Sequence, residues 1–136
     1  MINILLVEDS DADAFLIKEA FKKASFDNVV HHLWDGEEGR AFLENEDNPE
    51  PDLILLDINM PLMNGHELLK WIKTNSKLKH IPTGMLTTST AQSDINESYD
   101  NHVNYYIVKP LDFNKLQDVI NKLEDFWVKT VQRPKG

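Results

Sequence analysis

The chain has 136 residues, 41% hydrophobic and 27% charged, and 14 Lys/Arg against 23 Asp/Glu give it a net charge of −9. That length suits one domain able to bury roughly two-thirds of its unfolded surface, and the acidic balance argues against direct contact with a nucleic-acid backbone, which needs a basic face. With no cysteine, disulfides, thiolate nucleophiles and cysteine metal sites are excluded; no apolar run approaches the ~18 residues of a membrane span, and Met1-Ile2-Asn3-Ile4 lacks the charged start of a secretory signal, so the simplest address is the cytoplasm.

Ile2 to Val7 reads as a first strand. A helix from about Asp11 to Lys23 follows, with Ala14, Phe15, Ile17, Phe21 and Ala24 at helical spacing. Asn28 to Trp34 is a second, weaker strand because it carries His31 and His32, and Glu37 to Leu43 is a second helix, ended by Asn48-Pro49-Glu50-Pro51. The almost purely apolar Leu53 to Leu56 predicts a strand buried on both faces. Asn64 to Lys73 forms a third helix with Leu68, Leu69 and Ile72 on one side, and Pro82 to Thr87 the fourth strand. Ser93 to Tyr99 is a short, poorly amphipathic fourth helix, and Tyr105 to Val108 the fifth strand. A last helix runs from Asp112, its N-cap, to Thr130, with Phe113, Leu116, Ile120, Leu123 and Trp127 at its apolar spacing. Residues 1–130 therefore make one domain, and 131–136 a short frayed tail.

Alternating strands and helices predict a flavodoxin-like (βα)5 fold of the α/β class, a doubly wound five-stranded parallel sheet of order 2-1-3-4-5. Ligands in such sheets sit beyond the carboxyl ends of the strands, at the switch in strand order between strands 1 and 3. Strand 1 ends in Glu8-Asp9, strand 3 in Asp57, strand 4 in Thr87-Thr88-Ser89 and strand 5 in Lys109. Each pair of carboxylates so gathered costs roughly 4 kcal/mol at about 4 Å and an effective dielectric near 20. A cation relieves this, and hard oxygen donors without His or Cys favour Mg²⁺. Asp57, between the metal side and the lysine side, is the best nucleophile for a phosphoryl group. Lys109 supplies a point charge to the phosphoryl oxygens and Thr88 a hydroxyl donor. Because successive strand side chains alternate faces, only one of Thr87 and Thr88 can point at the site, and Thr88 is preferred.

Taken together, Val7-Glu8-Asp9-Ser10, Leu56-Asp57-Ile58-Asn59-Met60-Pro61, Asn64-Gly65, Leu86-Thr87-Thr88-Ser89 and Tyr106-Ile107-Val108-Lys109-Pro110 resemble response-regulator receiver domains, over Ile2 to about Lys129. Singly each motif is weak; in this order and spacing they are specific. The resemblance extends to single-domain regulators paired with phytochrome-type or other hybrid kinases, on Leu86-Thr87-Thr88-Ser89 and the late Phe126-Trp127. It implies that Asp57 is the phosphoacceptor, that Asp9 binds Mg²⁺ directly and Glu8 through water, and that the Asn59 carbonyl is a third ligand. It further implies that Thr88 and Tyr106 are the switch pair, that Lys109 pairs with the acyl phosphate, and that Lys109-Pro110 is cis. The implied donor is a histidine kinase or phosphotransfer protein, and the implied role is a two-component signalling module with Mg²⁺-dependent self-phosphorylation and self-hydrolysis rather than a metabolic enzyme. As no DNA-binding domain follows the last helix, output is expected through protein–protein contact.

Two places depart from the family pattern: Gly84 in mid-strand, which weakens the strand or admits a close neighbour, and Asn101-His102-Val103-Asn104, which lacks a small Gly-Ala pair. Phe126 and Trp127 admit two readings, packing on the sheet and its rim, or an aromatic patch for a homodimer through the last helix. The five histidines show no metal spacing, and His31-His32 belongs to a strand or its edge. Rival functions fare worse. An aspartyl-phosphate phosphatase usually carries Asp two residues after the nucleophile, where Asn59 stands; a flavodoxin-like cofactor carrier needs a phosphate loop where Glu8-Asp9 stands; a phosphorylation-independent adaptor would not need the complete motif set.

Overall fold

The computed structural model describes residues 1–133; the end of the predicted tail, 134–136, lies outside the described residues. Five parallel strands, β1 (Ile2–Val7), β2 (Asn28–Leu33), β3 (Leu53–Leu56), β4 (Thr83–Thr87) and β5 (Tyr105–Val108), form one sheet of order β2-β1-β3-β4-β5, as the alternation predicted. The helices are α1 (Asp11–Lys22), α2 (Gly36–Glu44), α3 (Gly65–Thr74), α4 (Gln92–Asp100) and α5 (Phe113–Leu123). The last helix is corrected in its final part: from Glu124 to Thr130 the chain widens into a π-helix instead of continuing the α-helical turn.

Strand alternation divides the core into two layers. Leu5, Val7, Ile54, Leu56 and Met85 face Leu68, Leu69 and Ile72 of α3. Ile4, Leu6, Leu53, Leu55 and Leu86 face Ile17 and Phe21 of α1 and Leu116, Ile120 and Leu123 of α5. Fully burying a side chain of this size stabilises by about 1.5–3 kcal/mol, so the two layers hold the sheet in register. The edge strand β2 carries the polar pair, with His31 and His32 both half-buried.

Four helix starts are capped by side chains, which fixes the entry of each loop at the carboxyl edge. Ser10 accepts from Asp13 N (3.2 Å), Asp35 from Glu38 N (2.8 Å) and Asp112 from Asn114 N (2.9 Å), while Asn64 and Glu67 form a reciprocal capping box. Helix α4 has no side-chain cap and buries only Ser98, which is why its sequence shows little amphipathicity. Leu62, 74% exposed, takes a left-handed φ of 66° in the loop after β3. For a leucine that conformation costs about 1–2 kcal/mol.

Candidate functional site

The site grows from the ends of three strands. Strand β1 delivers Glu8, 1% exposed, and the exposed Asp9. Since Ser10 caps α1, neither acid is spent on the helix end. Strand β3 delivers Asp57, 7% exposed, whose amide donates to Val7 O (3.0 Å) and whose Oδ1 accepts from Ile58 N (2.7 Å). Gly65 opens α3 directly behind it: a Cβ there would collide with the Asp57 carbonyl oxygen, so the Asn64-Gly65 pair lets α3 pack against the end of β3. From β5, the Lys109 amide donates to Thr87 O (2.6 Å) and its ammonium turns inward.

The Lys109 ammonium donates to Asp57 Oδ2 (3.1 Å) and Asp13 Oδ2 (2.8 Å), and lies against Glu8 Oε1 as an ion pair. Three carboxylate oxygens, one each from Glu8, Asp9 and Asp57, lie within 4.8 Å of one another. Glu8 Oε2 accepts from Ser10 N (3.1 Å), and Oε1 is taken by the Lys109 ammonium. Burial first, then the neighbouring Asp57 charge, pushes the Glu8 carboxyl up to about 7 against the pull of Lys109. For Lys109 burial acts downward, but hydrogen bonds to Asp13 and Glu8 and the charges of Asp57 and Glu8 outweigh it, and the ammonium is held above its usual value. A pocket of three carboxylates, with no nitrogen or sulfur among the candidate ligands, suits a small hard cation.

Thr87 is buried, and Thr88 stands exposed just past β4. Asn59 is exposed in the loop after β3. Tyr106 is half-buried and its hydroxyl donates to Ser89 O (2.8 Å), which ties β5 to the loop bearing Thr88. The expectation of a cis Lys109-Pro110 bond is corrected: no peptide bond is cis among the described residues, and trans is the form that an X–Pro bond favours by roughly 0.5–1 kcal/mol.

Two features escaped the sequence reading. Asp13 lies inside α1, not at a strand end. The available signal was its place in the first helical turn, where Cα–Cβ bonds tilt toward the N-terminus and so toward the rim. The second is a polar cluster beside the switch loop. Ser89 Oγ donates to Asp94 Oδ2 (2.5 Å), and buried His66 reaches Asp94 Oδ1 through Nε2 (3.0 Å). These two bonds hold the Asp94 carboxyl below its usual range. His32 also reaches the site's edge, with Nε2 at 2.8 Å from the Glu8 carbonyl.

Residues 4–121 match the family model described as the response regulator receiver domain. The chain is similar to response regulator Rcp1 of Synechocystis sp., 44% identical over 135 residues, or 96% of this chain and 92% of Rcp1. The crystal structure of Mn²⁺-bound Rcp1 superposes with a TM-score of 0.90 at 42% identity, over 99% of this chain and 100% of that one. The phosphorylated cyanobacterial phytochrome response regulator RcpA superposes with a TM-score of 0.92 at 40% identity, over 98% of this chain and 99% of that one. An acidic rim with a lysine at the carboxyl edge of a 2-1-3-4-5 sheet, matched over nearly its whole length, thus places the chain in the response regulator receiver domain family, the signalling modules of two-component systems.

Proposed function

We propose that Asp57 is the phosphoacceptor of this receiver, charged from the phosphohistidine of a histidine kinase or phosphotransfer protein. The observation that carries the reading is the convergence of Glu8, Asp9, Asp57 and Lys109 on one rim. An Asp57 carboxylate oxygen attacks phosphorus, the P–N bond to the donor imidazole breaks, and that nitrogen leaves with the bonding pair. Lys109 holds positive charge against the phosphoryl oxygens and the Thr88 hydroxyl donates a hydrogen bond to them. Glu8, Asp9, Asp57 and the Asn59 carbonyl would hold Mg²⁺, which supplies charge neutralisation at the transferring group when bound. The hard donor set supports that assignment, as does the Mn²⁺ in Rcp1.

In this reading the modified Asp57 draws Thr88 inward, Tyr106 follows, and the surface around β5 changes population. The bond from Tyr106 to the Ser89 carbonyl supplies the mechanical link. Small acyl phosphates charge the same residue, and slow hydrolysis resets it. One receiver domain spans residues 1–130, working in the cytoplasm, with output through protein contacts instead of DNA, including pairing of two copies along the last helix.

Incubating the protein with acetyl phosphate and Mg²⁺ should add one phosphoryl mass, absent when a chelator is present from the start and absent in Asp57→Asn. Equal incorporation in the Asn variant would assign the acceptor elsewhere.

A further inference from the structure

We infer that Asp13 is a positioning residue that restrains phosphoryl transfer by holding one of the Lys109 donors. The inference rests on the assignment of Asp57 and Lys109 above. An ammonium has three N–H donors and no more. Here three carboxylates claim it: Glu8, Asp57 and Asp13. A phosphoryl group arriving on Asp57 brings new anionic oxygens and needs a donor from the same nitrogen.

The three claimants differ in what they can do next. The side chains of Glu8 and Asp57 are 1% and 10% exposed and sit at strand ends, whereas that of Asp13 is 40% exposed on the first turn of α1. Asp13 alone has ready access to water, so it is the partner exchanged when the phosphoryl group is engaged. It is not needed to bring the amine inward, because the ion pair to Glu8 and the bond to Asp57 already do so. Its net effect is therefore competition: its charge neutralises part of the ammonium and repels the incoming anion, and its hydrogen bond must break first.

Asp13 also lies near the positive end of α1, where an acid favours the helix. Asp11 separates that role from the contact with Lys109. It is in the same turn and carries the same charge, but its Oδ1 accepts from the Trp34 indole Nε1 (2.6 Å).

The test is the initial rate of phosphorylation by acetyl phosphate at saturating Mg²⁺ and saturating donor, read by intact mass. Asp13→Asn should be faster by about three- to tenfold, the range left to a partly exposed charge after screening. Asp13→Glu, which restores the competing carboxylate, should fall within about twofold of the parent, as should Asp11→Asn. Asp13→Ser gives a second neutral variant should the Asn form fold poorly. An unchanged or slower rate in the neutral variants, or an equal gain in Asp11→Asn, overturns the inference. Failure of the underlying assignment looks different: the parent would take no label, or Asp57→Asn would take as much as the parent.

Discussion

At the scale of single residues, the site gathers three carboxylates on one ammonium, and Glu8 is the most buried of them. Burial holds its carboxyl at about 7, above the ordinary value of 4.5 that the unfolded chain would show. Between those values the folded state binds more protons than the unfolded one, so stability falls as pH rises through that window and the full cost persists above 7. Glu8→Gln in chelator should therefore be more stable than the parent at pH 8 by about 1–2 kcal/mol, discounted for solvent screening, with the gap closing toward pH 4.5. Urea melts at the two pH values measure it, and a Gln variant less stable at pH 8 would mean that the ion pair with Lys109 outweighs desolvation. Mg²⁺ should raise the midpoint of the parent and much less that of the variant. The strand-end acids and Lys109 could be picked from sequence because a parallel sheet gathers its carboxyl ends at one edge, a rule independent of side-chain detail. Asp13 and the His66–Asp94–Ser89 cluster could not, since they depend on which way helix side chains turn once loop lengths are set.

At the scale of elements, strands were the easier part to read. Leu53 to Leu56 and Tyr105 to Val108 are short apolar runs between polar turns, and both strands have those bounds. Helix α4 was harder because a polar bond, His66 to Asp94, helps dock it in place of an apolar stripe. Mid-strand Gly84 has a specific cause. It pairs in register with Tyr105, and the Tyr105 ring occupies the space that a Cβ on Gly84 would fill. That ring in turn stacks at 5.9 Å on Trp127 from the π-helical segment, so the missing side chain lets the last helix seat its aromatics on the sheet. Gly84→Ala should cost about 1–3 kcal/mol through overpacking, lowering the midpoint in urea. In Tyr105→Ala the same change should cost far less, and additive losses in the double variant would refute the contact as the cause.

At the scale of the whole molecule, the Phe126-Trp127 pair is split by burial. Trp127 is half-buried against Tyr105, while Phe126, 53% exposed, stands edge-on to it at 5.3 Å. Together with Ile107, Val119 and Leu123 they line an apolar groove of about 380 Å³ on the face of β5 and α5. Were two copies to pair about a two-fold axis on this face, each residue of it would count twice in the interface. Truncating one buried phenylalanine removes about 1.5–3 kcal/mol, and losing two would weaken a dimer by at least about a hundredfold. Opposing this, each copy carries a net charge of −9, and like charges are screened only beyond about 8 Å at physiological ionic strength. Pairing driven by apolar burial against charge repulsion should therefore tighten as salt rises from low to moderate, the reverse of an ion-paired interface. Sedimentation equilibrium across a salt series tests this, with a dimer expected for the parent and a monomer for Phe126→Ser. A parent that stays monomeric at high concentration and moderate salt, phosphorylated or not, would remove the last helix as a self-association surface and leave that groove to a different protein.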